Sequence, residues 1–240
     1  MIDGLRADLR KLADPEKAKI LQRFFKTGKG EYGEGDIFLG ITVPQSRSIA
    51  IKYKNLAFGD IKRLLRSKIH EERLIALLIL VHNFKNKDEK EKKYIYDFYL
   101  KNTKYINNWD LVDLSADKIV GTSIDSGVVS TPQNDILIKL AKSKNLWERR
   151  IAIISTFKFI KRQKDASWTL KIAEILLNDK HDLIQKAVGW MLREVGKQIS
   201  QKVEEEFLRK YYKNMPRTML RYAIERFPIN LKKAYMESKV

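Results

Sequence analysis

The trio Lys186-Ala187-Val188 decides the fold, because similar trios recur through the second half of the chain. Arg150-Ile151-Ala152 and Arg221-Tyr222-Ala223 stand in similar places of successive predicted helices, with their alanines 35 and 36 residues from Ala187. Leu74-Ile75-Ala76 gives an earlier copy and Leu114-Ser115-Ala116 a diverged one. A helix pair needs about this length, and stacked pairs share one core. The spacing predicts a HEAT-like or armadillo-like helical-repeat solenoid; the alternative is a coincidence in a helix-rich chain.

The sequence around these trios is helical by its period. Apolar residues recur at intervals of three and four, as at Leu74, Leu77, Leu78 and Val81. Thr42 and Gln45 fit a capping box, and Thr131 before Pro132 fits a further N-cap. No convincing strand alternation occurs. We therefore expect an all-α protein, an α-α superhelix that forms a single domain over residues 1–240.

The composition favours a polyanionic partner and excludes several classes of protein. The 240 residues include 48 Lys+Arg and 30 Asp+Glu, giving a net charge of +18, which suits nucleic acid. The alternative is a charge that serves only solubility. The absence of cysteine excludes disulfides, cysteine-ligated metals and a cysteine nucleophile. Without an apolar run of about 18 residues or a signal-peptide pattern, we expect no membrane association and a cytoplasmic protein.

Five of the eleven glycines lie between Thr27 and Ile41. The segment Gly28-Lys29-Gly30-Glu31-Tyr32-Gly33 satisfies the pattern G-x-G-x-x-G, which binds dinucleotides only when a strand precedes it and a helix follows. Here a helical segment precedes it, and neighbouring acidic residues would repel a phosphate. We interpret residues 27–41 as a shaped loop between two helices.

Trp109 and Asp113 form the first candidate pair of functional residues. Asn107 or Asn108 would cap a helix, and the spacing of four then places Trp109 and Asp113 on one face. A tryptophan beside a carboxylate at a helix start is unusual on a packing surface. The alternative is a core tryptophan with a solvated aspartate.

Lys186, Trp190 and Arg193 form a second candidate group, since their spacing places them along one helix face. An aromatic ring between two cations suits a phosphate backbone with a sugar or base between them. The alternative is a core tryptophan flanked by snorkelling cations. Arg149 or Arg150, at the start of another repeat helix, is expected on the same surface. The three histidines do not cluster, so we expect no metal and no cofactor.

Four segments together resemble the AlkD-type DNA alkylation repair family, the HEAT-like-repeat alkylpurine DNA glycosylases. The resemblance runs roughly from Pro15 to Pro228. Its segments are Tyr32 to Ile41 with Pro44, Trp109 to Asp113, Leu146 to Arg150, and Ile184 to Glu194. It implies a crescent of helical repeats with duplex DNA on a basic concave face. It also implies excision of cationic N3- and N7-alkylated purines, such as 3-methyladenine and 7-methylguanine, without base flipping.

The resemblance also assigns roles to individual residues. Trp109, Trp190 and Asp113 match the residues that line the deoxyribose of the lesion, and Arg150 and Arg193 match arginines on the DNA backbone. A further aromatic, usually Tyr, falls at Phe24, which keeps the ring and lacks the hydroxyl. Tyr32 in the glycine loop is a candidate substitute.

The sequence thus predicts a monomeric, monofunctional DNA glycosylase that acts on duplex DNA containing alkylated purines and is associated with the nucleoid when bound. Ionised Asp113 would stabilise the developing sugar cation. The runner-up is a non-catalytic DNA-binding module of the same fold. A third reading is a solenoid that binds a partner helix on its concave surface.

Overall fold

The computed structural model describes residues 1–129 and 133–240. These residues are helical, with no strand among them and one isolated bridge between Ile37 and Ile69, so the all-α prediction is confirmed. The predicted N-cap at Thr131 and the following Pro132 lie outside the described residues. None of the described helices is both long and apolar enough to cross a bilayer. The chain divides into two compact units, Met1–Ser115 and Ala116–Val240.

The first unit is arranged around one long, almost entirely buried helix. Its helices are α1 (Ile2–Leu12), α2 (Pro15–Phe24), α3 (Val43–Lys52), α4 (Phe58–Leu65), α5 (His70–Asn86), α6 (Glu89–Lys101) and α7 (Trp109–Asp113), with a 3-10 turn at Thr103–Tyr105. Helix α5 packs against α3, α4, α6 and α7. The segment from Leu74 to Leu80 is hydrophobic on all sides of the helix, and all of its residues are buried, as expected for a central helix.

The predicted helix starts are present in this unit. The Thr42 side chain accepts from the Gln45 amide and the Gln45 side chain accepts from the Thr42 amide, which completes the capping box of α3. The Asn108 side chain accepts from the Trp109 amide over 2.8 Å and caps α7. Residues 27–41 form turns between α2 and α3, as the glycine content predicts.

The second unit contains the repeat. It comprises a π-helical turn (Asp117–Gly121), α8 (Thr122–Asp125), α9 (Gln133–Ala141), α10 (Leu146–Ser155), α11 (Phe157–Arg162), α12 (Ser167–Ile175), α13 (Asp182–Gln198), α14 (Gln201–Tyr211), α15 (Arg217–Ala223), a 3-10 turn (Ile224–Arg226) and α16 (Ile229–Met236). The helices that carry the three trios lie side by side, α10 against α13 and α13 against α15. The repeat inferred from the spacing is therefore also a repeat of packing.

Small residues let these helices approach each other closely. Ala152, Ala187 and Ala223 are all buried. A Cβ at Gly189 would collide with the Met219 carbonyl oxygen on α15. The glycine costs helix propensity in α13 but is required where the two backbones meet.

Candidate functional site

Trp109 is held on two sides in the first unit. Its indole stacks on Phe25 with ring centroids 4.8 Å apart and an interplanar angle of 10°. The indole Nε1 donates to the hydroxyl oxygen of Tyr32 over 3.2 Å. These contacts fix the ring orientation, and the side chain remains half-buried, so Trp109 is neither a fully buried core residue nor a loose surface one.

Phe24 and Asp113 flank this tryptophan. Phe24, at the end of α2, meets the Trp109 ring edge-on at 5.7 Å and is 62% exposed, which is unusual for phenylalanine. Asp113 lies one helical turn after Trp109 and is half-buried. The structure therefore brings Phe24 and Tyr32 to Trp109. The aromatic cluster of Phe24, Phe25, Tyr32 and Trp109 is called the Trp109 cluster below.

A buried charged network lies beneath the Trp109 cluster. The stack of rings continues from Phe25 to Phe38 at 4.9 Å and from Phe38 to His70 at 4.4 Å. The His70 Nε2 lies 2.8 Å from an Asp110 carboxylate oxygen, and its Nδ1 lies 3.3 Å from one of Asp36. These residues, with Arg73, form what we call the His70 network.

The residues of the His70 network shift each other's pKa values. Burial by itself would lower the pKa of His70, which is 2% exposed. The negative charge of Asp110 and the hydrogen bonds of Asp110 and Asp36 outweigh burial and raise this pKa above its usual value. Burial opposes the charged form of Asp36, but His70 and the Arg73 guanidinium, 2.6 Å away, lower its pKa. The imidazole of His70 therefore lies between two carboxylates and supports the ring stack from below.

The glycine loop is anchored to the same end of α5. The carboxylate of buried Glu71 accepts hydrogen bonds from the backbone amides of Leu39, Gly40 and Ile41 over 2.9–3.2 Å. Gly40 has a φ of +83°, and a Cβ there would collide with the Asp14 carbonyl oxygen, so glycine is required. The loop that carries Tyr32 is therefore fixed at its C-terminal end.

Sequence reasoning missed Phe25 and the His70 network. Asp36, His70 and Asp110 are too far apart in the sequence for spacing to connect them. The available signal was the run His70-Glu71-Glu72-Arg73 at the start of a strongly apolar helix. All four of these side chains are buried, which requires partners from elsewhere in the chain.

The second candidate group lies along α13 in the second unit. Trp190 is half-buried, with Phe157 at 6.0 Å and its Nε1 3.4 Å from a Glu194 carboxylate oxygen. Lys186 pairs with Asp182 over 2.8 Å. Arg193 forms an ion pair with Glu225, a residue of the 3-10 turn that follows α15. Both cations of this group thus have acidic partners within the same unit.

The two arginines at the start of α10 also bind within the unit. Arg150 is 5% exposed and its Nη1 donates to the Leu183 carbonyl oxygen over 2.5 Å. Arg149 donates through Nε to Asp179 over 2.6 Å. The sequence predicts one of these arginines on the same surface as Lys186, Trp190 and Arg193, whereas the structure has both of them holding α10 to the segment that begins α13.

The stacked repeat helices define a helical-repeat protein. Its aromatic side chains Phe24, Trp109 and Trp190 are partly exposed to solvent. The family model described as DNA alkylation repair enzyme matches residues 5–227, so the chain belongs to that family. The resemblance found in the sequence is thereby confirmed.

The chain is similar to a solved structure described as a predicted DNA alkylation repair enzyme from Enterococcus faecalis, with a TM-score of 0.68 and 17% identity. The match covers 90% of this chain and 97% of that one, and at this identity it shows the fold alone. No curated protein matches the chain significantly.

Proposed function

We propose that this member of the family is a monofunctional DNA glycosylase. It would hydrolyse the N-glycosidic bond of cationic N3- or N7-alkylated purines in duplex DNA, acting as a cytoplasmic monomer and without base flipping. The observation that carries the proposal is the Trp109 cluster. A half-buried indole held by Phe25 and Tyr32 stands one helical turn before the Asp113 carboxylate.

The residues of the cluster suit the chemistry of this lesion. An alkylated purine already carries a positive charge, so it leaves as a neutral base and needs no general acid. The sugar develops oxocarbenium character as the bond breaks, and a nearby anion stabilises that charge. Ionised Asp113 would serve as this anion and orient the water that adds to C1′. As the sugar hydroxyl forms, this water gives a proton to the Asp113 carboxylate, which then releases it to solvent.

The aromatic residues would hold the sugar and the cationic base. Contact of a cation with an aromatic face contributes about 0.5–2 kcal/mol. Trp109 and Trp190 are proposed for this role, with the exposed ring of Phe24 beside Trp109. Phe24 supplies no hydroxyl, and the hydroxyl of Tyr32 fixes the Trp109 indole. Tyr32 therefore acts as a positioning residue in this proposal.

Lys186, Arg193 and Arg150 are proposed to interact with the DNA backbone. A phosphate would compete with Asp182 for Lys186 and with Glu225 for Arg193. Glu225 is 60% exposed, so water can solvate its carboxylate when a phosphate displaces it from Arg193. Buried Arg150 would contribute mainly by its charge and by holding α13 in position.

Base release from methylated duplex DNA tests the proposal, with the parent compared with Asp113→Asn. We expect the parent to release 7-methylguanine or 3-methyladenine. The variant should lose about 10²-fold or more in rate while it still binds the duplex. No release by the parent, with salt-sensitive binding by both proteins, would identify a non-catalytic DNA-binding module instead. Salt-insensitive binding would favour the protein-binding solenoid.

A further inference from the structure

A basic and aromatic groove lies in the first unit, between α4, α6 and the 3-10 turn at Thr103–Tyr105. It has a volume of about 440 Å³ and shares no lining residue with the apolar cavity beneath Phe24 and Phe25. Its lining contains no acidic residue. Four cations line it: Lys62, Arg66, Lys101 and Lys104.

These four cations have no carboxylate partner within the described part of the chain, and all four are exposed. Two acidic residues on the same helices pair with cations outside the groove. Asp60 pairs with Arg63 on α4 over 3.0 Å, and Asp97 pairs with Lys93 on α6 over 3.2 Å. Four positive charges around one concavity raise the local concentration of anions.

Aromatic rings form the rest of the groove. The Arg66 guanidinium lies 5.2 Å from the Tyr105 ring centroid, and the Lys104 ammonium lies 4.9 Å from it. Phe58 packs edge-on against Tyr94 at 4.6 Å, and Tyr94 is 54% exposed. An inorganic anion would need only the cations, whereas a planar ligand that carries a phosphate would use the cations and the aromatic rings.

We propose that this groove binds a nucleoside phosphate, with the phosphate among the cations and the base against Tyr105 or Tyr94. This nucleoside phosphate is either a free nucleotide or part of a single strand of nucleic acid. A base in an intact duplex is already stacked on its neighbours and cannot enter such a groove. The inference rests on neither the glycosylase activity nor the Trp109 cluster.

Fluorescence anisotropy with a short labelled oligothymidylate tests the groove in the full-length chain. Removal of a stacking ring costs about tenfold in affinity, so Tyr105→Ala should weaken binding by that factor, and Tyr105→Phe should bind as the parent does. Arg66→Ala should weaken binding and reduce its salt dependence. Lys90→Ala removes an exposed lysine of α6 that does not line the groove, and should leave affinity unchanged.

Competition experiments identify the occupant. Displacement of the probe by thymidine monophosphate supports a free nucleotide, and displacement only by an unlabelled oligonucleotide supports a strand. Equal displacement by pyrophosphate or polyglutamate overturns the proposal, because either would make the groove a site for anions in general.

Two results with the exposed Arg66 variant also overturn the proposal and do not depend on the folding of Tyr105→Ala. One is parent-like affinity of Arg66→Ala for the oligothymidylate. The other is an equal loss of affinity for undamaged duplex, which would make Arg66 a contact to the duplex backbone. Base release from methylated duplex is measured for Arg66→Ala as well, so that a failure of the groove proposal is distinguished from a failure of the proposed glycosylase activity.

Discussion

Trp109 and Tyr32 are joined by a hydrogen bond although 77 residues separate them, with the indole Nε1 donating to the tyrosine hydroxyl over 3.2 Å. Phe25 stacks on the same indole. The glycine loop thus contributes directly to the orientation of the tryptophan that starts α7, and it can be tested as part of the proposed active site.

Tyr32→Phe removes this hydrogen bond and keeps the ring. A hydrogen bond contributes about 0.5–1.5 kcal/mol, so base release should slow by about two- to tenfold, while the melting temperature falls by no more than a few degrees. Tyr94→Phe, which removes the hydroxyl of an exposed tyrosine outside the cluster, should release base at the parent rate. An equal effect of both variants would remove Tyr32 from the site.

Trp190→Ala should weaken duplex binding and slow base release, by about twofold to thirtyfold, because a cation–aromatic contact is lost. Trp168→Ala is the matched control, since Trp168 is also half-buried on a helix of the second unit. Binding, rate and thermal unfolding would be measured for both. Unfolding of Trp190→Ala, but not of Trp168→Ala, would make Trp190 a core residue.

Arg193 and its acidic partner give a pair of opposite predictions. Arg193→Ala should lower the slope of log affinity against log salt by about one unit. Glu225→Gln should strengthen duplex binding, since it removes an exposed anion that competes with phosphate for Arg193. Binding titrations across salt concentrations test both, and unchanged slope and affinity would exclude Arg193 as a phosphate contact.

The His70 network should make stability depend on pH. The pKa of His70 is raised in the folded state, so its contribution is fully present below the unfolded value of about 6.5. It is lost as the pH rises through the folded pKa. His70→Gln should therefore lower the melting temperature most at low pH, with the difference from the parent narrowing as the pH rises.

Glu204 also contributes to the pH dependence, because burial and then the charge of Glu205 raise its pKa to about 8. A carboxyl with a raised pKa costs stability as the pH rises. This cost is common to the parent and to His70→Gln and cancels in their difference. A difference that is constant across pH would show that the pKa of His70 is the same in the folded and the unfolded protein.

Gly189→Ala should destabilise the second unit by about 1–3 kcal/mol, because its Cβ would collide with the Met219 carbonyl oxygen. Gly59→Ala is the matched control, since a Cβ at this position of α4 meets no atom within 4 Å. It should leave stability unchanged or raise it by up to about 1 kcal/mol. Urea unfolding measures both, and equal stabilities would mean that α13 and α15 can separate at little cost.

Local patterns in the sequence predicted local structure well. The capping box at Thr42 depends on residues three apart, and the repeat depends on a constant interval, so both are visible without coordinates. The partners of buried charged residues cannot be predicted from such spacing. Asp36 and Asp110 reach His70 only through the folded chain. Arg150 donates a hydrogen bond to a carbonyl oxygen of α13, a partner that no spacing rule identifies.

The anchoring of the glycine loop by Glu71 determines which of its residues can change. The three amides that bind this carboxylate belong to the backbone and are available from any residue except proline. As far as these hydrogen bonds are concerned, the side chains of Leu39 and Ile41 can be replaced while the loop keeps its path. Gly40 and Glu71 cannot be replaced in this way, because Gly40 supplies the left-handed backbone and Glu71 the carboxylate that holds it.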